Sequence, residues 1–322
     1  MDLRTATPSH ARLMGLGAMR PTRVVTNDEL STRMDTSDEW IRTRVGISTR
    51  HFAAPDESVV DLAEAAGAKA VADAGLAPSD VDTVIVATCT TPNQIPNAAA
   101  RVASRIGIPA PGAFDVNAGC AGFSFALGTA TSLVTSGTAR HVLVIGAEKL
   151  TDWIDPDDRA TAIIFGDGAG AAVVGPSERA LIGPTVWGSA GDLAGTIAVG
   201  DHGYVVQDGP TVFHWATTKI APVARRAVER AGLALSDIDA VVPHQANLRI
   251  IEALLRDLRE EGARDDVVVA RDIVHSGNTS SASIPLALEA LRSDRSLKPG
   301  AVALLVGFGA GLSYAAQVVV CP

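Results

Sequence analysis

Lys69 to Cys89 reads KAVADAGLAPSDVDTVIVATC, and Arg226 to Ala246 reads RAVERAGLALSDIDAVVPHQA. The second stretch begins 157 residues after the first (226 − 69), and ten of the 21 aligned positions are identical. Each copy reads as an amphipathic helix that ends at Ala-Gly-Leu, a Ser-Asp turn, and then a β-branched strand. Further along, the register slips by one. Gly119-Cys120 falls opposite Gly277-Asn278, and each pair precedes small residues suited to opening a helix (AGFSFALGTA and TSSASIPLAL). Apolar strands follow in both copies, His141 to Gly146 (HVLVIG) and Ala301 to Gly307 (AVALLVG). Generic helix-end chemistry explains Ala-Gly-Leu and the Asp turn. It does not also place a Gly-Cys and a Gly-Asn in one frame thirty residues later, so the chain is read as a duplication. The halves are assigned to residues 1–178 and 179–322, in an α/β fold. Two facing halves bring corresponding loops to a common centre, where Cys120 and Asn278 are expected to meet.

The bulk composition fits this. The chain has 322 residues, 47% hydrophobic and 20% charged, with only 4% aromatic, so small aliphatic side chains must fill closely apposed layers. A net charge of −9 argues against nucleic acid as a partner, because phosphate binding needs a basic surface. Three cysteines are too few for a disulfide framework and suit a reducing, cytoplasmic setting. Residues 1–10 are polar and lack the apolar stretch of a signal peptide. Val116–Ala139 and Pro299–Pro322 are uncharged and long enough to span a bilayer. Gly, Ser and Thr interrupt both, so buried strands and small-residue helices are expected and no membrane association.

A cysteine at a helix start is favoured as a nucleophile. Unpaired N–H groups and the helix dipole stabilise a thiolate and can hold the oxyanion of a thioester under attack. Cys120 stands among small residues (Asn117 to Gly122) that leave room for a substrate. Its alternative is a buried structural thiol, the role expected for Cys89 and Cys321 in their apolar strand contexts. His244, in Pro-His-Gln-Ala-Asn at the end of the second-copy strand, is the favoured histidine, with His275 as a rival three residues before Asn278. Asn278 is either a helix cap or a neutral hydrogen-bond donor.

At this point the motifs carry a resemblance. DTSDEWIRTRVGI (Asp35 to Ile47), GCAGF (Gly119 to Phe123), DDRAT, FGDGAGA, PHQANLRI, SGNTSSASIPLAL and GFGAGLSY occur in order from about Leu13 onward. This set resembles the 3-oxoacyl-[acyl-carrier-protein] synthase III family. The resemblance implies the thiolase-like, five-layered α-β-α-β-α fold and priming of fatty-acid or polyketide chains. It implies that Cys120 takes an acyl group from acyl-CoA, and that malonyl-acyl carrier protein then loses CO2 and its enolate attacks that acyl group. His244 and Asn278 would hold the malonyl thioester carbonyl. The backbone N–H groups of Cys120 and Ala310 would form the other oxyanion hole. By the same resemblance Trp40 and Arg44, with Thr36 and Arg159 nearby, would hold the nucleotide end of CoA, a coenzyme that is substrate and not a tightly bound cofactor. Gly209, Phe213 and Asn247 would line the pantetheine channel, and Arg249 and Arg256 would dock the carrier protein. Ile95, before Pro96, would gate the acyl channel of the partner subunit in a homodimer. FGDGAGA is assigned to strand packing, since no Gly-Lys follows it.

The stretch from Gly188 to Gly209 is shorter than the family pattern, which leaves the acyl preference open. A specialised priming or ester-forming acyltransferase on the same fold is the nearest alternative. A cysteine hydrolase is disfavoured because there the Asn would orient the His, and a non-catalytic carrier-protein binder because all three site positions are intact.

Overall fold

The computed structural model describes residues 10–322, so the N-terminal reading lies, apart from His10, outside the described residues. The first half supplies strands β1 (His10–Met19), β2 (Thr83–Ala87), β3 (Gly112–Val116), β4 (Val142–Glu148) and β5 (Gly168–Ser177). The second half supplies β6 (Val186–Gly188), β7 (Ala240–Pro243), β8 (Val268–Val269), β9 (Val302–Gly309) and β10 (Ser313–Val320). The first sheet runs β1-β5-β4-β2-β3 and the second β6-β10-β9-β7-β8, so that adding five to each strand of the first gives the second. Directions match as well. The β2–β3, β2–β4, β7–β8 and β7–β9 pairs are parallel, and the remaining pairs are antiparallel.

The helices complete five layers. Outside the first sheet lie α2 (Val59–Asp73) and α3 (Ala98–Ile106); outside the second, α5 (Gly209–Arg230) carries α6 (Leu248–Glu260). Between the sheets lie α4 (Gly122–Thr135) and α7 (Ser283–Ser293), each touching both. A short helix α1 (Asp38–Val45) precedes α2 in the chain and packs on α6. A helix between two sheets must be apolar or small all round, and α7 buries Ser283 to Leu288 without a break. The central strands β2 and β4 are buried on both faces, which is why TVIVA and VLVIGAE do not alternate.

Both copies of the repeat end their helix alike. Gly75 and Gly232 take φ of +69° and +73°, and the Leu after each donates its N–H to the carbonyl five residues back. In the turns that follow, Asp80 and Asp237 accept the N–H of Ala77 and Ala234, each at 2.8 Å. The two uncharged stretches resolve as expected. Val116–Ala139 contains α4, and Pro299–Pro322 contains the β9–β10 pair. Among the described residues no helix is long and apolar enough to cross a membrane.

Glycines let the halves interlock. A Cβ on Gly146 of β4 would lie 2.3 Å from the Ser281 carbonyl oxygen, and one on Gly307 of β9 would lie 3.2 Å from Ala121 Cα. Each half's central strand therefore runs hard against the helix start of the other. FGDGAGA belongs to the same packing, because a Cβ on Gly170 would meet Leu286 N at 2.7 Å.

Candidate active site

Where the strand ends of both sheets converge, a cavity of about 820 Å³ opens. Cys120, His244 and Asn278, far apart in sequence, all line it. Cys120 sits in the single turn Gly119–Ala121 that leads into α4, and Asn278 stands two residues before the turn Ser280–Ala282 that leads into α7. The preceding glycines, Gly119 and Gly277, take φ of +52° and +68°, a left-handed corner that a β-carbon disfavours. These corners turn the next residue from the sheet into the cavity.

The thiol of Cys120 is half-buried at the cavity wall. Burial pushes its pKa up to about 11, and the charge of Glu148 acts the same way. The nearby Ser280 hydroxyl and the backbone N–H groups of Ala310 and of Cys120 itself act in the opposite direction. The thiolate expected from the helix start is therefore corrected. The N–H groups act as expected, but loss of water on burial outweighs them.

His244 continues β7, its N–H donating to Val306 O at 2.8 Å. Its ring stands edge-on to Phe308, with centroids 5.2 Å apart. Burial lowers its pKa to about 3, so the ring is neutral. Nδ1 lies 2.7 Å from Ser283 Oγ, which itself accepts the Gln245 N–H at 3.3 Å. A hydroxyl both accepts and donates, and where Ser283 donates to Nδ1 the proton of the neutral ring lies on Nε2. Asn278 is pinned by its backbone, which donates to Ile164 O and accepts from Gly166 N. Its Oδ1 accepts the Ser280 N–H at 2.8 Å, which leaves Nδ2 as the free donor. The capping reading of Asn278 is met by its oxygen, and Nδ2 is the atom left for the donor reading.

The wall also holds the exposed Trp40, Arg44, Arg159 and Arg249 and the half-buried Gly209, Phe213 and Asn247. Arg159 lies over the Trp40 ring at 4.9 Å and Arg249 over Phe213 at 5.1 Å. Asn247 caps α6 by accepting the Arg249 N–H at 2.9 Å. Ala310 is also in the wall. Thr36, Arg256 and Ile95 are not. Thr36 Oγ1 is buried without a hydrogen-bond partner. Arg256 pairs with Asp257 on the exposed face of α6, and Ile95 is 89% exposed. The rival His275 is exposed on a separate short helix, outside the wall.

Cys89 needs correction, because it lies beyond the end of β2 and in the cavity wall. Its thiol faces Glu148 at 3.5 Å and Ser280 Oγ at 3.9 Å, and burial holds its pKa well above the usual thiol value. Sequence reasoning also missed Glu148, Ser280, Ser283 and Phe308. The signal for Glu148 was a carboxylate directly following the apolar run HVLVIGA.

Fold and wall together define a class, a thiolase-like protein with one cysteine-centred pocket between duplicated halves. Comparison with known proteins narrows it. Residues 114–191 match the family description 3-oxoacyl-[acyl-carrier-protein] synthase III, and residues 228–321 match its C-terminal counterpart. A beta-ketoacyl-[acyl-carrier-protein] synthase III of Streptomyces coelicolor is 51% identical over 97% of this chain and 99% of its own. Among solved structures, the priming beta-ketosynthase of a polyketide biosynthetic pathway superposes with a TM-score of 0.95 at 44% identity, covering 100% of this chain and 99% of that one. The synthase III of Aquifex aeolicus gives 0.92 at 38% identity, over 96% and 99%. The chain belongs to the 3-oxoacyl-[acyl-carrier-protein] synthase III family, whose members are acyltransferase-type condensing enzymes.

Proposed function

We propose that this enzyme loads an acyl group from acyl-CoA onto Cys120 and joins it to malonyl-acyl carrier protein with loss of CO2. The observation that carries the reading is the meeting of Cys120, His244 and Asn278 in one cavity wall. In the first half-reaction the Cys120 sulfur attacks the thioester carbonyl, and the N–H groups of Cys120 and of Ala310, which shares its cavity wall, hold the oxyanion. In the second, decarboxylation supplies the carbanion, so no strong base is needed. His244 Nε2–H and Asn278 Nδ2–H then hold the enolate oxygen as charge develops. A histidine held neutral by burial is suited to donate there, and its depressed pKa removes it as a base.

Trp40, Arg44 and Arg159 form the nucleotide end of the CoA site in this reading, with Thr36 beside them and Gly209, Phe213 and Asn247 along the channel. Arg249 and Arg256, seven residues apart on the outer face of α6, form the carrier-protein dock. The exposed Ile95 and the edge strand β3, with Phe114 at 37% exposure, fit covering by a second copy in a homodimer. The halves divide near residue 178, between β5 and β6. The ester-forming or specialised priming alternative shares the first half-reaction and differs in the second.

Incubation with acyl-CoA should give one acyl adduct by mass spectrometry, on Cys120 and absent from Cys120→Ser. Added malonyl-carrier protein should then release CO2 and a 3-oxoacyl product. An adduct on Cys89 or Cys321 would overturn the assignment, and an ester product would select the alternative.

A further inference from the structure

Glu148 is a buried ionisable group to which this reading gives no role. It ends β4, is fully excluded from solvent and stands behind Cys120. Five donors surround it: the hydroxyls of Thr90 and Ser281 at 2.7 Å, Ser280 at 3.1 Å and Thr88 at 3.2 Å, and the Cys89 N–H at 3.1 Å. The Cys89 thiol adds a weaker contact. Among the described residues no arginine, lysine or histidine bonds it. Lys149 sends its ammonium instead to the carbonyls of Ala54 and Pro55 and to Asp152. A carboxylate taken from water without a cation has a raised affinity for a proton, and burial raises the pKa here.

Ser280 joins this group to the nucleophile. Its Oγ donates to Glu148 Oε1, and its turn packs against the Gly119–Ala121 turn, so that Ser280 and Cys120 share one cavity wall. Its backbone is held at φ +49° by the bond from its N–H to Asn278 Oδ1, a conformation that costs energy in a non-glycine residue. His244 does not compete for the proton, because its Nδ1 is turned to Ser283.

We propose that Glu148, through the Ser280 hydroxyl, takes the Cys120 proton during acyl transfer from the CoA thioester. The inference rests on Cys120 being the acylated residue. As the C–S bond to the acyl carbon forms, the Cys120 S–H proton passes to Ser280 Oγ, and the Ser280 proton passes to Glu148 Oε1. The departing CoA thiolate leaves with the electron pair of the broken C–S bond. It takes the proton back along the same path, so Glu148 ends as it began.

The test is the pH dependence of acyl-enzyme formation in the full-length enzyme. A thiolate beside a protonated Glu148 carries the same number of protons as the resting thiol and carboxylate, so its population does not change with pH. The wild-type acylation rate should therefore vary less than about threefold from pH 7 to 9. In E148Q and in S280A attack needs free thiolate, so the rate should rise about tenfold per pH unit and fall roughly 100-fold below wild type at pH 7. A carboxylate that only repels the thiolate predicts the reverse, E148Q acylating as fast as wild type or faster, and that result overturns the proposal. A tenfold-per-unit rise in wild type overturns it equally. S280A, which keeps the carboxylate and its other donors, carries the test if E148Q fails to fold. An acyl group mapped away from Cys120 sinks the reading of the site itself, whatever the slopes.

Discussion

The two halves have one topology and opposite strand ends. In the frame of the repeat, the first half places Ala87 where the second places His244, and the second places Asn278 where the first places Cys120. The central strands diverge further. β4 ends on Glu148, a buried acid caged by hydroxyls, whereas β9 ends on Gly309, whose backbone is pressed against Cys120. An acid in the second position would stand on the sulfur itself, and a glycine in the first would leave the hydroxyl cage empty. Duplication thus supplies the scaffold, two left-handed corners facing a common cavity. The chemistry comes from the few residues at the strand ends where the copies no longer agree.

The largest effect should come from His244→Ala and Asn278→Ala, which test that division. Both residues serve the second half-reaction, so both variants should still form the acyl-enzyme, His244→Ala at close to the wild-type rate and Asn278→Ala more slowly, because its Oδ1 also holds the Ser280 N–H. Condensation should fall by about 10²–10³-fold for each, the scale of a lost oxyanion donor. Rapid-quench acylation and CO2 release from malonyl-carrier protein measure the two steps separately. Because burial keeps His244 neutral down to about pH 3, the condensation step should show no ionisation from it between pH 5 and 8. A rate limb near pH 6.5 would mean that this ring titrates in the working enzyme.

A middle-sized effect is expected at Gly309. An added Cβ would lie 2.6 Å from Cys120 Cβ and 2.9 Å from Sγ, so Gly309→Ala must push the nucleophile away from its N–H donors. Overpacking of this kind costs about 1–3 kcal/mol, and a displacement near 1 Å costs roughly 100-fold in rate. Acylation and stability should both fall, by comparable free energies, as acyl-enzyme formation and denaturant unfolding would show. Gly209→Ala, also in the cavity wall but with no protein atom within 4 Å of the added Cβ, is the comparison: stability and acylation at saturating acyl-CoA should hold, and any loss should fall on KM for acyl-CoA, because Gly209 lines the proposed channel. Equal losses at both sites would mean that the wall tolerates no methyl anywhere.

Much of this was legible in the sequence because it is local or repeated. Ala-Gly-Leu followed by Ser-Asp encodes a helix end and a turn within ten residues, and repetition made the frame visible before any contact was known. Cys120, His244 and Asn278 followed from that frame and from the motifs around them. What stayed hidden depends on depth and on pairs distant in the chain. Ser280 meets Glu148 across 132 residues, and no local pattern marks Cys89 as past its strand's end and not within it. The Cys120 thiol illustrates the limit. The helix start was readable, but the extent to which the cavity excludes water was not, and exclusion decides the sign.

The smallest prediction concerns the turns where the copies agree most. Asp80 and Asp237 are both exposed, and each accepts at 2.8 Å from the backbone N–H three residues earlier. Replacing either by Ala leaves that donor to water, which at a cap costs about 1 kcal/mol. The first turn has one extra tie, from His141 Nδ1 to the Asp80 carbonyl at 2.8 Å, but that bond uses the backbone and survives the substitution. The two variants should therefore lose the same stability to within about 0.5 kcal/mol, provided the halves unfold as one unit. Interlocking gives reason to expect one unit, since Gly146 and Gly307 seat each central strand on the other half's helix start. Urea unfolding followed by circular dichroism measures both midpoints. A clear loss in one variant with none in the other, or a second transition in either, would show that the halves melt separately.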